Sequence, residues 1–143
     1  MKALRIVPFA LIAVVGCADK TPSTHATGKV LGHCWTDLDD SVGGKTCFSS
    51  PGSSGEGSYE QHAPWSNGAI LKGKYVYAGV SITIDARYTE ASKMMGDMTG
   101  ESQPSRWEIL EYIGSDQVKI HYFNTHPNPE YQSDRIKIMK RMD

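Results

Sequence analysis

The chain has 143 residues, with 15 Lys and Arg against 16 Asp and Glu and a formal net charge of −1 at pH 7. Its basic cluster, Arg135, Lys137, Lys140 and Arg141, sits at the C-terminal end. Nucleic-acid binding calls for a wider basic face, so that function class is excluded.

A basic start (Lys2, Arg5) precedes an apolar run from Ile6 to Gly16, eleven residues that include Pro8. A bilayer-crossing helix takes about 20. A positive start, a short apolar stretch and a small residue at its end instead mark a secretory signal. Val14-Val15-Gly16-Cys17 resembles the lipobox of bacterial lipoproteins. The resemblance implies cleavage before Cys17, diacylation of its sulfur and acylation of the freed amine. Two or three acyl chains anchor a protein stably. An ordinary signal peptide is the competing reading and would leave the mature chain free in the periplasm. In the lipoprotein family, aspartate after the cysteine favours inner-membrane retention. Here Ala18 takes that place and Asp19 follows, so the resemblance implies the outer membrane, facing the periplasm. Loss of residues 1–16 removes two bases and no acid, leaving 13 against 16, a charge of −3.

Residues 17–28 are small and polar, without apolar periodicity, and read as a lipidated tether. Residues 29–143 form the domain. Lys29 to Trp35 and Lys45 to Phe48 read as short strands carrying Cys34 and Cys47. In an oxidising compartment that pair is expected to form a disulfide. There is no CxxC motif, and zinc would need two more ligands. Ser49 to Ser58 reads as a flexible low-complexity loop, and Asn67-Gly68 as a tight turn before a strand from Ile70 to Tyr77.

From Val80 to Tyr88, Val, Ile, Ile, Ala and Tyr alternate with polar residues, the period of a half-buried strand. Thr89 to Met95 is the one short helix expected, capped by Thr89 and ended by Gly96. Arg106 to Ile113 and Gln117 to Phe123 flank Gly114-Ser115-Asp116 as a hairpin. Arg135 to Met142 closes the sheet, and its alternation puts the basic residues outside. These elements predict one all-β domain, a single small antiparallel β-sandwich or barrel with little helix. The meander from Ile70 onward, with Trp107 and the terminal strand, resembles lipocalin-type and other eight-strand barrel lipoproteins over about half the chain, without a diagnostic motif.

Motifs for chemistry fail one by one. Asp39 stands where a P-loop ending in Gly44-Lys45-Thr46 needs its first glycine. Asp37, Asp39 and Ser41 have calcium-loop spacing, but Val42 and Phe48 replace the turn glycine and the bidentate glutamate. Glu56 breaks a GxSxG reading of Gly52 to Glu56. The five histidines are scattered, with His121 and His126 expected in solvent. Met94, Met95 and Met98 have thioethers suited to Cu(I), yet no His or Cys lies close by. No catalytic residue, metal or cofactor is expected, and no enzyme activity.

On the strand from Arg106, Trp107 and Ile109 have the opposite parity to Leu110 and Tyr112. That makes Trp107, Tyr112 and Tyr122 a candidate contact surface. Two functions follow: a non-catalytic interaction or accessory module docking on an envelope protein, or a lipocalin-like carrier of a small apolar ligand. Ala86-Arg87-Tyr88-Thr89 resembles a fragment of the signature of lysozyme-inhibiting lipoproteins, without its preceding glycine and later Lys-Gly. A cavity lined by Trp and Tyr favours the carrier, an exposed aromatic patch the module.

Overall fold

Eight strands, each antiparallel to its sequence neighbours, close into a barrel. The structure is a computed structural model that describes residues 27–143. Residues 1–16, expected to be a signal, and Cys17, the expected lipidation site, lie outside the described residues. The strands are β1 (Cys34–Asp37), β2 (Lys45–Phe48), β3 (Glu56–His62), β4 (Ala69–Ala78), β5 (Ser81–Tyr88), β6 (Ser105–Ile113), β7 (Gln117–Asn124) and β8 (Ser133–Arg141). The barrel closes where β1 meets β8, with Trp35 opposite Arg141 and Asp37 opposite Met139. Of the two expected architectures, the barrel is the one formed.

The predicted alternation positions the core. On β5, Ile82, Ile84 and Ala86 are buried inside while Thr83, Asp85 and Arg87 face out. Trp35, Phe48, Tyr59, Tyr75, Trp107, Ile109, Val118, Ile120 and Met139 complete the interior. Glu90–Met95 forms the expected short helix, of 3₁₀ type, with Gly96 at its end. The hydroxyl of Thr89 bonds to the carbonyl of Ala69 instead of capping that helix.

Three expectations need correction. Thr27–Lys29 is a 3₁₀ turn and β1 starts only at Cys34. Val30 and Leu31, read as strand, tuck under the barrel, where the Trp35 Nε1 donates to the Val30 carbonyl at 2.9 Å. This segment seals the end that also carries the β2–β3, β4–β5 and β6–β7 connections. Next, the loop reading of Ser49 to Ser58 runs into β3, whose Gly57 lies opposite Tyr75 of β4. A Cβ at Gly57 would come within 2.4 Å of that tyrosine ring, which therefore lies over bare backbone.

The third correction concerns β8. Arg135 pairs with Tyr122, Lys137 with Ile120 and Met139 with Val118, so all three share the inner face. Ile136 and Ile138 are on the outer face. The barrel opens to the outside at its mouth, so inward-facing positions there suit charged groups.

Gly73 lets β4 and β5 approach closely where it lies opposite Ala86. A Cβ there would sit 1.9 Å from the Asp85 carbonyl oxygen and 2.6 Å from the Ala86 Cα, both fixed backbone. Gly73→Ala is therefore expected to lower stability by about 1–3 kcal/mol, read as a reduced urea midpoint; an unchanged midpoint would contradict the tight approach.

Candidate functional site at the open end of the barrel

The end opposite the seal is ringed by the β1–β2, β3–β4, β5–β6 and β7–β8 connections, and there a cavity of about 350 Å³ opens. Its floor is aromatic and apolar: Trp35, Trp107, Tyr59, Tyr122 and Met139. Thr46 and Gln61 add a hydroxyl and an amide, and Asp37, Asp39, Asp40, Arg135 and Lys137 bring charge to the rim. Six strands contribute, because in a closed barrel alternate residues of every strand converge on one axis.

The ionic groups are held in specific ways. Lys137 Nζ lies 3.0 Å from Asp37 Oδ2 and 4.8 Å from the centroid of the Tyr122 ring. Asp37 also accepts the Asp39 N–H at 3.0 Å. Asp40 accepts the N–H groups of Val42 at 2.8 Å and Gly44 at 3.3 Å, pinning its loop from within. This accounts for the calcium-like spacing, since these carboxylates serve their own loop and a lysine. Among the described residues, no three His, Cys, Asp or Glu side chains gather closely enough to hold a metal ion.

Deeper in, the hydroxyl of Tyr59 donates to Gln61 Oε1 at 3.2 Å. Burial, reinforced by the phenols of Tyr122 and Tyr88, pushes its ionisation well above the ordinary range. Burial likewise raises Tyr122. Both therefore stay neutral. The Tyr88 hydroxyl donates to Gln103 Oε1 at 3.3 Å, placing a buried amide beside this phenol group.

The expected contact surface of Trp107, Tyr112 and Tyr122 is not an outward patch. Trp107 is 2% exposed and paired in register with Tyr122, and both line the cavity. A β-bulge between Ile109 and Glu111 shifts the parity, so Tyr112 follows Trp107 and Ile109 onto the inner face, opposite Val118. That shift resolves the two-faced strand. Tyr112 is half-buried near the sealed end, with the Lys29 ammonium 5.1 Å from its ring centroid. Burial pushes its ionisation up to about 12.

Elsewhere the predicted residues stay apart. Cys34 and Cys47 form the expected disulfide, directly opposite each other on β1 and β2. His121 is on the outer face, bonded to Asp134. His126 is buried, against expectation; its ring Nδ1 accepts the Asn128 backbone N–H at 3.0 Å, and the His126 backbone N–H donates to Asn124 Oδ1 at 2.8 Å. Met94 and Met95 are exposed, as are Leu38, Val42 and Trp65 in the neighbouring loops.

Sequence reasoning missed Asp37, Gln61, Arg135 and Lys137 as cavity residues. The parity of Met139 with Lys137 and Arg135 was the available signal. No family model, curated protein or solved structure matches the chain.

Proposed function

We propose that this chain is an exported lipoprotein, anchored through Cys17 to the outer membrane, whose barrel binds a small molecule at its open end without transforming it. The cavity carries this reading. At about 350 Å³ it falls in the range of small-molecule sites, ~300–1,000 Å³. The opposite end is plugged by Val30 and Leu31.

Its lining argues for a different cargo from the apolar ligand expected. Thr46, Tyr59, Gln61 and the rim charges would lose hydrogen bonds to water without replacement if an apolar molecule filled the site. A ligand with a polar head and a compact body suits both rim and floor. Thr27, at the sealed end, lies where a tether from Cys17 would join. A barrel so held would turn its mouth away from the anchoring bilayer and into the periplasm. The Cys34–Cys47 bond suits that oxidising compartment.

Native mass spectrometry on protein extracted from membranes tests the proposal. The expected spectrum shows a chain starting at an acylated Cys17 and carrying a small molecule that denaturation releases. Gln61→Trp, which fills the mouth from a half-buried position, is expected to lose that molecule while melting within a few degrees of wild type. Equal loading of the variant would refute the site, and an unmodified Cys17 would refute the anchor.

A second reading, docking on an envelope protein, draws on the exposed Leu38, Val42, Trp65, Met94 and Met95 around the same end. Crosslinking from position 65 in the membrane would capture that partner.

A further inference from the structure

The cavity already holds an ammonium group of the protein's own. Lys137 Nζ sits between the Asp37 carboxylate, 3.0 Å away, and the Tyr122 ring, 4.8 Å from its centroid. A carboxylate on one side and an aromatic face on the other is how proteins hold organic cations. Charge around the cavity points the same way. Three acids, Asp37, Asp39 and Asp40, face two bases, Arg135 and Lys137, so the mouth is net negative by one. Asp40 is engaged by its own loop. Asp37 is the innermost of the acids, with its side chain 16% exposed.

We propose that the open end binds an organic cation, a primary amine or short polyamine, in the place the Lys137 ammonium now holds between Asp37 and the Tyr122 ring. The proposal rests on reading the open end as a ligand site and names the class of that ligand. Lys137 then acts as a tethered competitor. Its ammonium is on a flexible four-carbon stem at a position 28% exposed, so it can swing into solvent when a free amine takes Asp37. The Tyr59 and Gln61 polar groups and the Trp35 and Trp107 walls surround the rest of the molecule. Leaving Asp37 unpaired would be costly, so the lysine keeps the empty site satisfied until an amine arrives.

Titration calorimetry on the full chain, with putrescine as the cationic probe and glutarate as an anion of similar length, tests the class. Wild type is expected to bind putrescine, and the affinity falls as salt is raised. Lys137→Met removes the competitor but keeps the stem, and putrescine affinity should rise roughly tenfold. Asp37→Asn, of the same shape, should lose putrescine. Melting curves of both variants verify that they are folded, and Lys137→Gln repeats the gain if the methionine perturbs the fold.

Glutarate binding that disappears in Arg135→Ala would overturn the cationic class and leave the open-end site standing. Putrescine binding unaffected by either the Lys137 or the Asp37 change would also overturn it, as would no putrescine binding in wild type and Lys137→Met. Failure of the site itself is read separately, from the co-purified molecule and Gln61→Trp.

Discussion

Replacing Trp107 with alanine is expected to cost about 3–5 kcal/mol of folding stability, the largest loss of any single core change considered. The indole is 2% exposed and meets the Phe48 ring edge-on at 5.0 Å between centroids. Phe48 in turn contacts Tyr59 at 5.4 Å and Tyr75 at 5.5 Å. Trp107 thus links β6 to an aromatic cluster drawn from β2, β3 and β4 across the barrel, and no backbone hydrogen bond substitutes for that span. Edge-to-face pairs add about 0.5–1.5 kcal/mol beyond the area they bury. Removing the ring also deepens the open-end cavity, whose floor it helps to form. Surrounding strands are fixed in a closed ladder and can collapse only partly onto the void. With total stabilities of about 5–15 kcal/mol for single domains, the variant should be near its unfolding threshold. Urea denaturation measures this. Trp107→Phe should recover part of the loss, and an alanine variant within about 1 kcal/mol of wild type would place the indole outside the core.

The sequence revealed the parts of the barrel in which each strand obeys one pattern. β5 was legible because Ile82, Ile84 and Ala86 are all buried in the barrel while their neighbours on the strand are exposed or only partly buried. The β6–β7 hairpin was legible from the turn at Gly114, which has a φ of +64°. β3 was not. Glu56, Gly57 and Ser58 carry no apolar signal, and Gly57 is there to make room for Tyr75, a requirement visible only once the strands pair. The face of β8 was misread because Ile136 and Ile138 look like core residues. Arg135 and Lys137 instead line the cavity that opens at the mouth. The bulge after Ile109 was equally silent, and it alone turns Tyr112 inward. The candidate site draws on β1, β2, β3, β6, β7 and β8, so no local spacing could announce it. Trp35, Tyr59 and Trp107 were recognised as aromatic, but their convergence was not. The disulfide was legible because two cysteines in the domain allow one pairing.

Removing that disulfide is expected to lower stability by about 3 kcal/mol, the loop-closure entropy it withdraws from the unfolded chain. Cys34 and Cys47 are separated by 13 in sequence and face each other with Cα atoms 4.0 Å apart. Their location decides which part of the barrel loosens first. β1 and β2 have four residues each and share two registered pairs, Cys34 with Cys47 and Trp35 with Thr46. β1 is also the strand that closes the barrel against β8. The crosslink therefore reinforces the short β1–β2 ladder next to the closing strand. In Cys34→Ala/Cys47→Ala the melting temperature should fall by roughly 10–15 °C. Amide hydrogen exchange should quicken chiefly in β1, β2 and the adjoining half of β8, while β5 and β7 keep their protection. Asp37 and Thr46 come from the two loosened strands, so the proposed ligand binding at the mouth should weaken as well, before the core melts. Exchange that quickens equally in all eight strands would mean the bond stabilises the barrel only through the unfolded state. A loss confined to β1, β2 and β8 would tie the integrity of the open end to the oxidation of this cysteine pair.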